Sequence, residues 1–106
     1  MNVINIKALS VNAAFRGRRF KSKEYEAYEK ELYYLLPKIK VPKKGIKVVL
    51  EFGIPKNMDI DSGIKQFLDV CQKKYDFNDK EILELHVGKT ICKKGQEFIA
   101  FEITSL

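Results

Sequence analysis

Apolar residues fall at two different spacings along the chain, and the switches between them predict the order of elements. Val3, Ile4 and then Ile6 through Leu9 predict a first strand. From Ser22 the spacing lengthens: Tyr25, Tyr28, Leu32, Leu35 and Leu36 make an apolar stripe on a helix from about Lys23 to Leu36. Ser22 suits its N-cap, Glu24 suits the positive end of its dipole, and Pro37 ends it. Ile46, Val48, Leu50 and Phe52 alternate, which predicts a strand over 46–54 with one buried face. Ile64, Phe67, Leu68 and Cys71 return to the i, i+3, i+4, i+7 spacing of a helix running from Ser62 to near Lys74. Glu81 to Ile91 and Gln96 to Thr104 read as two more strands, joined by Cys92-Lys93-Lys94-Gly95 at the spacing of an antiparallel hairpin. The order β-α-β-α-β-β predicts one small α/β (α+β) domain over 1–106, with a mixed sheet and two helices.

Charge changes the picture more than composition does. Twenty Lys and Arg against 14 Asp and Glu leave a net charge of +6. Arg16, Arg18, Arg19, Lys21 and Lys23 form one run, in a stretch from Ser10 to Lys21 that reads as an irregular basic loop. Arginine suits bidentate phosphate contacts, so this run is the candidate nucleic-acid grip. Lys38, Lys40, Lys43 and Lys44, the pair Lys73-Lys74 and the pair Lys93-Lys94 read first as solvated lysines that keep a small protein soluble. Cys71 lies on the apolar helix face, and neither it nor Cys92 belongs to a Cys-x-x-Cys or Cys/His cluster. With no membrane-length apolar run and no secretory leader pattern, a reduced, cytoplasmic protein is expected. His86 stands alone in a strand and reads as structural.

The chemistry-bearing stretch is Asn57 to Asp79. Asp59 and Asp61 precede the second helix, Lys65 and Asp69 lie four residues apart on it, and Asn78-Asp79 follow it. One aspartate before a helix reads as an N-cap, and Asn-Asp before a strand reads as a turn. A cap explains only one of Asp59 and Asp61. In extended chain, Asp-x-Asp would put both carboxylates on one side, where they repel unless a cation or proton lies between them. Magnesium prefers such oxygen ligands.

The segment D-I-D-S-G-I-K-Q-F-L-D, then N-D-K-E-I and two strands, resembles the RusA family of Holliday-junction resolvases. The family pattern is Asp-x-Asp-Asn-x-x-Lys-x-x-x-Asp, followed by an aspartate pair before the next strand. S-V-N in the first loop, Ser22 and Tyr28 resemble the family's N-terminal half, so the likeness runs from about Leu9 to the last strand. It implies a RusA-like fold and metal-binding acids at Asp59, Asp61 and Asp79. Lys65 matches the catalytic lysine, and Asp69 and Asn78 match supporting positions around the acids. Ser62 and Asn78 depart from the family's asparagine and aspartate, which puts metal affinity rather than the site itself in question. The implied activity is Mg2+-dependent, structure-specific cleavage of four-way DNA junctions by paired nicks, as a homodimer in recombination and repair. Mn2+ is an expected substitute, and a phage or prophage origin is implied. Two rivals remain at the level of sequence. One is a basic nucleic-acid-binding protein without catalysis, and the other is a regulator that acts through a protein partner.

Overall fold

The computed structural model describes residues 1–10, 15–16 and 20–106, and of 15, 16 and 20 only the backbone. Strands β1 (Asn2–Ile4), β4 (Ile46–Ile54), β5 (Ile82–Ile91) and β6 (Phe98–Ser105) make one mixed sheet in the order β1-β6-β4-β5. Helices α1 (Lys23–Leu35) and α2 (Ile64–Tyr75) lie on one face of it. The sheet strands and helices follow the expected β-α-β-α-β-β order. Within the basic loop, β2 (Phe15–Arg16) and β3 (Phe20–Lys21) pair antiparallel with each other, a regularity the composition of that stretch did not signal.

Alternation in β4 builds the core. Ile46, Val48, Leu50, Phe52 and Ile54 all face the helices and are buried. Ile99, Phe101 and Ile103 of β6 stand beside them, and Phe67 of α2 sits edge-on to both Phe52 and Phe101, with centroids 6.5 and 5.4 Å away. The first strand is shorter than expected, but its alternation continues beyond Ile4 as extended chain, and Ile6 and Ala8 still point into the core. Of the predicted α1 stripe, Tyr25, Tyr28, Leu32 and Leu36 are buried, whereas Leu35 is 40% exposed. The opposite sheet face carries Lys47, Glu51, Glu102 and His86, as the period-two pattern requires. No described helix is long and apolar enough to cross a membrane.

The last two strands are not a hairpin. β5 pairs parallel with β4, β6 pairs antiparallel with β4, and β4 separates them. The cause lies upstream: α2 is a crossover, and a strand–helix–strand unit returns its second strand parallel to the first. The segment 92–97 must then bridge two strand spacings, about 10 Å. It passes over the end of β4, where the Cys92 N–H donates to the Ile54 carbonyl at 3.1 Å.

Candidate functional site

The turn that follows β4 carries the first acids. Met58 N–H donates to the Pro55 carbonyl, and Ser62 N–H donates to the Asp59 carbonyl, both at 3.1 Å. The backbone from Ile60 to Gly63 is therefore turn rather than extended chain, so Asp59 and Asp61 do not alternate as strand residues would. Gly63 is the N-cap of α2 and supplies no side-chain cap. Both aspartates are exposed, and neither side chain has a hydrogen bond or ion pair among the described residues. The capping explanation thus accounts for neither of them. Lys89, near the C-terminal end of β5, reaches across to donate to the carbonyls of Lys56 and Met58, and so pins the turn from the sheet side.

Asp59 stands at a cleft of about 820 Å³. Its walls are the extended chain after β1, the N-terminal half of α1 and the β4–α2 turn, with Lys7, Ser10, Glu24, Glu31, Asn57 and Ser62 contributing polar groups. Tyr28 borders it and buries its hydroxyl without a hydrogen-bond partner among the described residues. Burial, with Cys71 and Tyr25 nearby, pushes that phenol well above its ordinary range. Cys71 itself is fully buried and its thiol is pushed up by burial, in keeping with a small core residue rather than a nucleophile.

Lys65 points along the helix. Its ammonium is 3.3 Å from Asp69 Oδ1, in an i,i+4 pair whose lysine side chain is 77% exposed. Asp69 also accepts from Gln72 within α2 at 3.5 Å and from the Tyr25 hydroxyl at 3.3 Å, the latter tying α2 to α1. Burial, then the Asp69 and Glu29 charges, push the Tyr25 phenol up to about 12. Glu29 receives Lys73 at 2.9 Å and Lys21 at 3.1 Å. Burial raises its pKa, but those two lysines outweigh burial and hold it below the ordinary value.

Asp79 is elsewhere. It opens a 3₁₀ turn (Asp79–Glu81) after α2, and its N–H donates to Gln72 Oε1 at 3.0 Å. Asn78 caps that turn, its Oδ1 accepting from Lys80 N–H at 3.0 Å. Twelve helical residues separate this end from the Asp59–Asp61 turn, roughly 18 Å at 1.5 Å per residue. Because Ile82 pairs with Ile46, Asp79 lies beside the start of β4, whereas Asp59 lies beyond its end. Asp59, Asp61 and Asp79 therefore do not converge within one chain, and no group of three or more potential metal-ligating side chains occurs among the described residues.

The basic run is seen only in part. Arg18, Arg19 and the Arg16 side chain lie outside the described residues, as do Val11 and Asn12 of the S-V-N motif. Lys21 is committed to Glu29 and sits 4.8 Å from the Tyr25 ring centroid, while Lys23 is exposed at the start of α1. Lys89 and Tyr25 act through contacts distant along the chain, so the sequence carries no local signal for either.

A comparison with protein-family models finds no match to this chain, and a comparison with curated proteins likewise finds none.

Proposed function

We propose that this chain is a divalent-metal-dependent nuclease of branched DNA, with the four-way junction as its substrate and a homodimer as its working form. The single observation that carries the reading is the Asp59–Asp61 turn: two exposed carboxylates without protein partners among the described residues, with Asp59 lining a polar cleft, in a basic chain. Carboxylates at a helix end normally earn their place by capping, and these do not cap.

The donor set fits a hard cation in a limited form. Magnesium is commonly held by one or two carboxylates together with substrate phosphates and water. Asp59 and Asp61 suffice for that, and Asp79 of the same chain is not needed. A bound Mg2+, or Mn2+ in its place, would neutralise phosphoryl charge and lower the pKa of a water. The chain's own residues bind and orient the strand. The uncapped N–H groups at the start of α2 favour a phosphate there. Lys65, one turn further in, exchanges Asp69 for a phosphoryl oxygen at little cost, because exposed i,i+4 pairs contribute only about 0.3–0.5 kcal/mol. Two copies related by a two-fold axis suit two symmetric nicks.

A second reading, a basic protein that grips nucleic acid without cutting it, is favoured by the distance of Asp79 from the other acids and by the Lys65–Asp69 pair. The test is a synthetic four-way junction incubated with purified protein, with Mg2+ and with chelator. The nuclease reading expects paired nicks in Mg2+ alone. Binding without any nicking in Mg2+ or Mn2+ selects the second reading.

A further inference from the structure

α1 and α2 run side by side in the same direction, since Tyr25 meets Asp69 and Glu29 meets Lys73. Past those contacts, their C-terminal halves leave a groove of about 320 Å³. Val70 floors it, and Glu29, Lys30, Tyr33 and Lys73 line it. Lys74 closes one end, with its ammonium 4.5 Å from the Tyr33 ring centroid and 3.0 Å from the Tyr33 carbonyl. One turn beyond Lys30 on α1, Tyr34 is 85% exposed, more than any other large apolar or aromatic residue described. Among the described residues lining the groove the one acid is Glu29, which already receives Lys21 and Lys73, and Lys30 has no ion pair among the described residues.

We propose that this groove binds a single, unpaired nucleic-acid strand, with Tyr34 as a platform for a base and Lys30 and Lys74 as contacts to phosphate. The i,i+4 spacing puts the Tyr34 ring on the same face of α1 as the Lys30 ammonium, next to the groove. Stacking on it is sequence-tolerant because every base presents a π-face. A base inside a duplex cannot offer that face, so the surface discriminates by strandedness rather than by sequence. The lysines account for affinity, and the tyrosine accounts for the choice of an unpaired strand. At a branch point, where nucleotides leave the stack, such a surface holds the strand that duplex contacts cannot. The inference rests on the nucleic-acid part of the function proposed above but on none of its catalysis, and it lies at the other end of the helix pair from Asp59 and Asp61.

Fluorescence anisotropy in chelator, with a labelled oligothymidylate and a blunt duplex, tests it without any cleavage. Tyr34→Ala is expected to weaken oligothymidylate binding by about 5- to 100-fold, the scale of one lost base stack. Duplex binding is expected to change less than about two-fold. Tyr34→Phe keeps the ring and is expected to retain binding, and Lys30→Gln is expected to lower the slope of log affinity against log salt by about 0.7. Equal losses on single strand and duplex, an unchanged affinity in Tyr34→Ala, or no oligothymidylate binding by the parent protein would overturn the proposal. Since Tyr34 is exposed, its loss leaves the fold intact. A failure to nick junctions in Mg2+ would remove the nuclease reading and leave these binding outcomes unaffected.

Discussion

The two ends of α2 carry similar residues in opposite circumstances. At the C-terminal end Gln72, Asp76 and Asn78 each have a structural task, and Asp79 is engaged through its backbone N–H alone. Asp76 takes the left-handed conformation, at φ 55°, that closes the helix, and among non-glycine residues aspartate is one that tolerates it. Lys43 binds its carboxylate at 3.2 Å and donates to its carbonyl, which complements the negative end of the helix dipole. Asn78 caps the next turn, and Gln72 receives Asp79 N–H. At the N-terminal end, Asp59 and Asp61 are exposed, two residues apart and without such tasks among the described residues. Folding tolerates idle surface carboxylates only because water solvates them. Two idle acids in one turn, one of them lining a cleft, are a stronger indication of a ligand than acids that already have partners.

That contrast is open to breakage at each end. The largest effect is expected from Asp59→Asn combined with Asp61→Asn. Nicking of a four-way junction should fall by about three orders of magnitude or more, while the melting temperature holds or rises because repulsion is relieved. Nicking at the parent rate in the double variant would sink the metal assignment, and a lowered melting temperature would show that the acids do structural work after all.

Lys65→Ala comes next. Loss of one charge aligned with the phosphoryl group should cost about two to three orders of magnitude in single-turnover cleavage, with junction affinity nearly intact. Lys65→Arg should recover little, since the planar guanidinium differs in shape and reach. A parent cleavage rate in Lys65→Ala would reduce the residue to the exposed Asp69 pair in which it is seen.

The C-terminal end should respond in stability and not in activity. Asn78→Ala should cost about 1 kcal/mol in a denaturant titration, the usual scale of a lost cap. Asp79→Asn should leave nicking within two-fold of the parent, because Asp79 of one chain lies a helix length from that chain's Asp59. A large loss of nicking in Asp79→Asn with unchanged stability would mean that a second copy delivers this acid to the site.

The smallest effect belongs to Glu29. Its folded-state pKa is held below the ordinary value, so its contribution is present above about 4.5 and is lost as pH falls through the folded-state value. Glu29→Gln should therefore lower stability by a few tenths of a kcal/mol at neutral pH and flatten the acid limb of the stability profile. Identical profiles for parent and variant below pH 4.5 would show that the two lysines gain nothing from it.

What the sequence by itself determined is the local part of this protein. Period two in β4 specified that Ile46, Val48, Leu50 and Phe52 enter the core, and the 3.6-residue period of 64–71 specified the buried face of α2, because these patterns depend only on neighbours along the chain. Ser22 likewise announced the start of α1, and its Oγ accepts from Tyr25 N–H at 3.1 Å. Tertiary structure decided what lies beside what. The spacing of 81–104 suited a hairpin, but β4 inserted itself between the two strands, since the crossover through α2 made β5 its parallel neighbour. The resemblance implied one site for Asp59, Asp61 and Asp79, which bracket a short segment. Yet a helix is a rigid spacer of fixed rise, and twelve residues of it place the bracketing residues at opposite ends of the sheet. Closeness in sequence becomes closeness in space only where the chain turns back on itself, and between Asp61 and Asp79 it runs straight.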